Sequence, residues 1–113
     1  MTIEVTRERL HRLPKPELHV HLDGSLRPET MLELALREGK PMPADNPEEL
    51  RDYMHVRDAR NLVDYLERFA VTLSVMQTAD ALERIAYELA EDLAGENVRY
   101  AEIRYSPILV TQE

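Results

Sequence analysis

Between Glu17 and Leu22 polar and apolar residues alternate without a break, with Glu17, His19 and His21 on one side and Leu18, Val20 and Leu22 on the other. A period of two predicts a strand over about 17–22 with one apolar face. Asp23-Gly24-Ser25 then ends it in a turn. From Pro28 to Glu38 the period becomes helical: Met31, Leu34 and Ala35 share a face, Pro28 suits the first helical position and Gly39 the left-handed stop. Asn46-Pro47-Glu48-Glu49 reads as a capped start of a short helix ending near His55. Asn61 to Met76 carries Leu62, Tyr65, Leu66, Phe69, Leu73 and Met76 at spacings of three and four. Asp80 to Ala94 carries a stripe of Leu82, Ile85, Ala86, Leu89 and Leu93, closed by Gly95. Alternation returns at Val98 to Tyr105, with Ala101, Ile103 and Tyr105 on one face and Tyr100, Glu102 and Arg104 on the other. Residues 1–16, ending Leu13-Pro14-Lys15-Pro16, read as an extended lead-in.

Strand, helices, strand is the order of a parallel pair joined by a right-handed crossover. A parallel pair alone leaves both edges open and one face thinly covered. The pattern therefore reads as an unfinished α/β fold, with the crossover spanning about 28–95 and the second strand about 98–105.

Composition narrows the choices. With 43% hydrophobic residues the chain can bury a core, and with one Phe, five Tyr and no Trp the core is aliphatic. A net charge of −8 without Lys or Arg clusters excludes a phosphate-backbone binder and a partner of anionic lipid. No apolar run is long enough to span a bilayer, and the N-terminus has no secretory apolar region. The absence of Cys makes a cytoplasmic location the expectation and leaves imidazole and carboxylate as the only ligands for a metal.

The chemistry concentrates at His19-Val20-His21-Leu22-Asp23. Residues two apart on a strand point the same way, so two imidazoles can converge on one ion. Their place at a strand's end, before a turn, is where α/β folds hold active sites. A metal, a carboxylate or water could each satisfy the pair, and Asp23 could be a third ligand or a substrate acceptor. Tyr65, Leu66 and Phe69 could line an apolar pocket or simply be core. Glu102 and Arg104 could face an interior or solvent. His11 and His55 stand alone and read as solvent-facing, and the methionines, Met54 and Met76 among them, read as packing. Glu88, Glu91, Asp92 and Glu96 read as the wet side of their helix.

Leu13-Pro14-Lys15 with Glu17-Leu18-His19-Val20-His21-Leu22-Asp23-Gly24-Ser25 resembles the opening of adenosine deaminases. Val98-Arg99-Tyr100-Ala101-Glu102-Ile103-Arg104-Tyr105-Ser106-Pro107 resembles the second barrel strand of that family. The resemblance implies the N-terminal portion of a (β/α)₈ TIM-type barrel occupying residues 1–113. It implies hydrolysis of adenosine or deoxyadenosine to inosine or deoxyinosine and ammonia, by water activated at Zn²⁺. His19 and His21 would hold the zinc, His21 would also lie beside the substrate, and Asp23 would hydrogen-bond the sugar. Relatives acting on adenine or aminofutalosine tend to carry Glu at this last position, so Asp favours a nucleoside. Tyr65, Leu66 and Phe69 resemble the apolar flap of the family, although Ala70 replaces an Asp common in relatives. The third zinc histidine, the Glu that protonates the purine, a further His and an Asp come from later strands. No catalytic residue is therefore assigned within this chain, and the chain alone is expected to be inactive.

Two other readings remain: a related deaminase of adenine, AMP or aminofutalosine, or another amidohydrolase with H-x-H on its first strand; and a non-catalytic helical interaction module with a structural His pair. Nothing in the sequence bears on oligomeric state.

Overall fold

A computed structural model describes residues 1–55 and 61–112; residues 56–60, within the expected crossover, and residue 113 lie outside the described residues. Two parallel strands, β1 (Lys15–His21) and β2 (Val98–Arg104), form the sheet. Five helices accompany them: α1 (Arg7–Arg12), α2 (Pro28–Glu38), α3 (Pro47–Met54), α4 (Leu62–Ser74) and α5 (Ala79–Gly95).

The helix boundaries follow local chemistry. Asn46, Asn61 and Thr78 each accept a backbone N–H with the side chain, from Glu49, Asp64 and Ala81. Gly39 ends α2 at φ +66°, where a Cβ is disfavoured. The expectation of an extended lead-in over 1–16 is wrong for Arg7–Arg12, which is helical. Thr6 caps α1 through the Arg9 N–H, and the Lys15 ammonium donates to the carbonyls of Leu10, His11 and Leu13 at 2.7, 3.2 and 2.9 Å. Lys15 lies beyond the helix it closes, so no window over residues 7–12 contains the group that satisfies their carbonyls.

α1 also ties the two strands together at their starts. The Asn97 side chain donates to Arg12 O at 2.7 Å, and Asn97 O accepts from Lys15 N at 3.1 Å. Asn97 does this at φ +61°, a region asparagine tolerates better than most residues. His11, expected to be isolated, is exposed but lies 3.0 Å from Gly95 O at the end of α5. β1 starts two residues before the alternation because Lys15 and Pro16 pair with Val98 and Tyr100.

The core lies where α2, the end of α4 and α5 meet the end of β1: Leu22, Leu34, Ala35, Val75, Met76, Ala81, Ile85 and Leu89. α2 is held to α5 by charge as well. Arg27 donates to Asp92 Oδ1 at 2.6 Å and to Glu91 Oε1 at 2.7 Å. Thr30, itself buried, donates to Glu88 Oε2 at 2.6 Å, and Arg84 bridges Glu88 and Glu33. The acidic run of α5 is therefore a clamp rather than merely a solvated side; only the partner helix reveals it.

The apolar sides of β1 and α4 are only partly covered, and Leu18 on β1 is 58% exposed. The α4 stripe is buried only toward its C-terminal end, with Leu62, Tyr65 and Leu66 exposed and Val75 and Met76 covered. The radius of gyration is 16.0 Å, against about 13 Å for a compact domain of this length. With two strands, each has one edge without a strand partner among the described residues. Periodicity reports which side is apolar, not whether anything covers it.

Ile85 is enclosed whereas Leu36 is 86% exposed. Ile85→Ala should lower the unfolding free energy in urea by about 2–5 kcal/mol, and Leu36→Ala should change it by less than about 0.5 kcal/mol. Glu33 is held below its usual value near 4.5, chiefly by its hydrogen bond from Arg84. A lowered carboxylate pKa stabilises the folded chain above 4.5, and that contribution disappears as the pH falls through the folded-state value. Arg84→Gln should therefore flatten the acid limb of a stability–pH curve below 4.5 while leaving the shape near pH 7 unchanged.

Candidate metal centre and adjoining cavity

His19 and His21 lie on the same side of β1 at its C-terminal end, as alternation requires. Their Nε2 atoms are 3.0 Å apart and their ring centroids 5.0 Å. Two imidazole nitrogens each about 2.0–2.1 Å from one tetrahedral zinc would be roughly 3.3 Å apart. A separation change of a few tenths of an ångström would thus admit the ion, and the donor chemistry suits it. The pair supplies only part of a shell: among the described residues no group of three or more His, Cys, Asp and Glu side chains could hold a metal.

The strand runs directly into a single 3₁₀ turn, Leu22–Gly24. Leu22 anchors that turn in the core, and the Ser25 hydroxyl donates back to the His21 carbonyl. The turn buries Asp23, whose Oδ1 has no hydrogen-bond partner. That oxygen lies 3.5 Å from His21 Nδ1, within ion-pair range of a protonated ring but long for a hydrogen bond. A buried acceptor without a partner costs about 1–3 kcal/mol, so this carboxylate has spare capacity to accept a proton donor.

Asp23 and Gly24 open onto a cavity of about 450 Å³ between the turn, α3 and α4. Met31, Met54, Tyr65 and Phe69 give it apolar walls; Arg51, His55 and Arg68 give it a basic rim. Tyr65 and Phe69, four apart on α4, meet edge to face at 5.7 Å. A Cβ at Gly24 would sit 3.5 Å from the Phe69 ring, so glycine lets α4 approach the turn closely.

Of the residues singled out in the sequence, His19, His21 and Asp23 lie within one five-residue stretch, and Asp23, Tyr65 and Phe69 line the same cavity, whose lining does not include the two histidines. Nor does it include Leu66, which is half exposed and about 100° around the helix from Tyr65. Glu102 and Arg104 follow the side of the sheet that carries the histidines, Arg104 pairing with His21. Glu102 accepts from the Tyr100 hydroxyl at 2.8 Å. His55 is exposed, as expected, yet lines the cavity, as does Met54. Arg51 and Arg68 were not singled out. The signal available was helical spacing, Arg51 four before His55 and Arg68 three after Tyr65.

The profile of the family described as Adenosine deaminase matches residues 14–113. An adenosine deaminase of Mycobacterium sp. (strain KMS) is 51% identical over 111 residues, 96% of this chain and 31% of the relative. One from Clostridium botulinum (strain 657 / Type Ba4) is 48% identical over 99 residues, 87% of this chain and 30% of the relative. The chain thus spans about three tenths of the length of these curated relatives. Among solved structures, a zinc-bound amidohydrolase from Burkholderia ambifaria superposes with a TM-score of 0.72 at 34% identity, covering 97% of this chain and 30% of that one. The Arabidopsis N6-mAMP deaminase gives 0.69 at 35%, covering 88% and 29%. The architecture is that of the N-terminal portion of a (β/α)₈ barrel, two parallel strands with helices between. A profile match across nearly the whole chain, joined to the paired imidazoles at the end of its first strand, establishes that the chain belongs to the adenosine deaminase family.

Proposed function

We propose that this chain provides the first-strand metal ligands and the sugar-side contact of a zinc-dependent enzyme that hydrolytically deaminates adenosine or deoxyadenosine. The observation that carries the reading is the close approach of His19 and His21, two residues from a buried Asp23 whose Oδ1 lacks a hydrogen-bond partner and which lines the cavity. Zinc, when bound, supplies Lewis acidity that lowers the pKa of coordinated water toward about 7. His19 and His21 would hold it through Nε2. Tyr65 and Phe69 would cover the purine and exclude water, and Asp23 would accept a hydrogen bond from a ribose hydroxyl. Among the described residues no group of three or more His, Cys, Asp and Glu side chains completes the shell, so further donors and acid–base groups would have to join His19 and His21 in a working site.

A nucleotide is the second reading, favoured by Arg51, His55 and Arg68 at the cavity rim. Structural relatives that include an N6-mAMP deaminase and complexes with IMP and GMP point the same way. Charge favours the nucleoside. A phosphate 4 Å from Asp23 would be repelled by about 4 kcal/mol per unit charge at an effective dielectric constant near 20. Arg51 already pairs with Glu29 at 3.6 Å, and Arg68 donates to two backbone carbonyls.

Joining residues 14–113 to the remainder of the mycobacterial relative tests the reading. The chimera should convert adenosine to inosine with its zinc bound, and His19→Ala or His21→Ala should each abolish zinc retention and turnover. A metal-replete, folded chimera that leaves adenosine untouched would refute it. Asp23→Ala should weaken adenosine binding about tenfold to a hundredfold, the loss of a hydrogen bond to a charged group. AMP should bind more weakly than adenosine to the unsubstituted protein; the reverse order would select the nucleotide reading.

A further inference from the structure

Tyr53 lies in the last turn of α3, where helix carbonyls have no intrahelical partner. Arg68, near the middle of α4, donates from Nε to Tyr53 O at 3.2 Å. The same guanidinium lies over the Tyr53 ring, 4.9 Å from its centroid, and Nη1 donates to Asp64 O on its own helix at 3.1 Å. One planar cation thus caps α3, stacks on it and grips α4. Only arginine can do all three, because a lysine ammonium lacks both the plane and the fork of donors. Arg68 also lines the cavity, and its neighbour Phe69 touches the turn carrying Asp23.

α4 buries only Thr72 within its span, and its first two turns carry exposed Leu62, Val63, Tyr65 and Leu66. An exposed helix end held by little apolar contact is where local opening is cheapest. The cavity wall formed by Tyr65 and Phe69 therefore has a polar fastening beside its contact with the turn at Gly24.

We infer that Arg68 is a positioning residue: it fastens α4 to the C-terminal end of α3 and so sets the width of the cavity lined by Asp23, Tyr65 and Phe69. The inference rests on the reading of this cavity as the purine site, and it assigns affinity, not chemistry, to a residue that does not touch the reacting atoms.

The test compares the full chain with its Arg68→Met, Arg68→Lys and Tyr53→Phe variants by amide hydrogen exchange and by adenosine titration followed in NMR spectra. Arg68→Met should speed exchange across Tyr65, Leu66 and Phe69 about tenfold, the equivalent of roughly 1.4 kcal/mol, while α5 amides keep their protection. Arg68→Lys should recover only part of that protection. Tyr53→Phe keeps the ring and the carbonyl, so it should match the unsubstituted chain, including the upfield ring-current shift of the Arg68 side-chain protons. Adenosine affinity should fall with α4 protection across the series. Unchanged α4 exchange in Arg68→Met would overturn the inference, and so would equal loosening of α4 and α5, which marks a general loss of stability. An unsubstituted chain that shows no response to adenosine would count against the purine site alone, because the exchange measurements decide the fastening without ligand.

Discussion

The hydrogen bonds between β1 and β2 run parallel, with Lys15 opposite Val98 and His21 opposite Arg104. Parallel strands cannot be joined by a tight turn; the chain must travel back the length of the sheet before the second strand can start. Here that return journey is α2 to α5, and its geometry puts the carboxyl ends of both strands side by side. His21 and Arg104 owe their shared neighbourhood to this pairing. Asn97 fixes it at the opposite end, receiving Lys15 N and reaching Arg12 O from a left-handed conformation.

Two kinds of force hold the crossover, and they differ in weight. The aliphatic cluster around Leu34, Met76 and Ile85 supplies most of the stabilisation, since each enclosed side chain contributes about 1.5–3 kcal/mol. The Arg27 and Arg84 pairs are partly exposed, and exposed ion pairs contribute little. Their value is directional. Arg27 stands at the start of α2, three residues after the turn that carries Asp23 and Gly24, and its grip on Asp92 fixes where that turn leaves the sheet. Electrostatics here sets geometry, while burial sets stability.

The site combines a rigid half and a lightly held half. His21 is fixed by its pairing with Arg104, and Asp23 by Leu22 in the core, while His19 lies where the strand register shifts between Glu17 and Val20. Tyr65 and Phe69 ride on a helix of which, among the described residues, only Thr72 is buried and which Arg68 ties to Tyr53 O. Such a division suits a pocket that must admit a flat aromatic ligand and then exclude water around it.

The sequence by itself determined each element whose cause is local. The H-x-H pair was legible because a strand's period of two is fixed by the backbone, and the starts of α3 and α4 because an asparagine side chain satisfies its own helix. Membership in the deaminase family was legible because Glu17 to Ser25 and Val98 to Pro107 are contiguous stretches. Tertiary structure alone decided the rest. α1 is closed by Lys15 from beyond its end, and Glu88 and Asp92 are occupied by arginines about 60 residues distant or on a neighbouring turn. Leu18 and Leu62 are apolar but uncovered, and Tyr65 and Phe69, but not Leu66, reach the cavity beside Asp23. Periodicity specifies the direction in which a side chain points; which atoms wait there depends on residues far away in the chain, and only the packed fold brings them together.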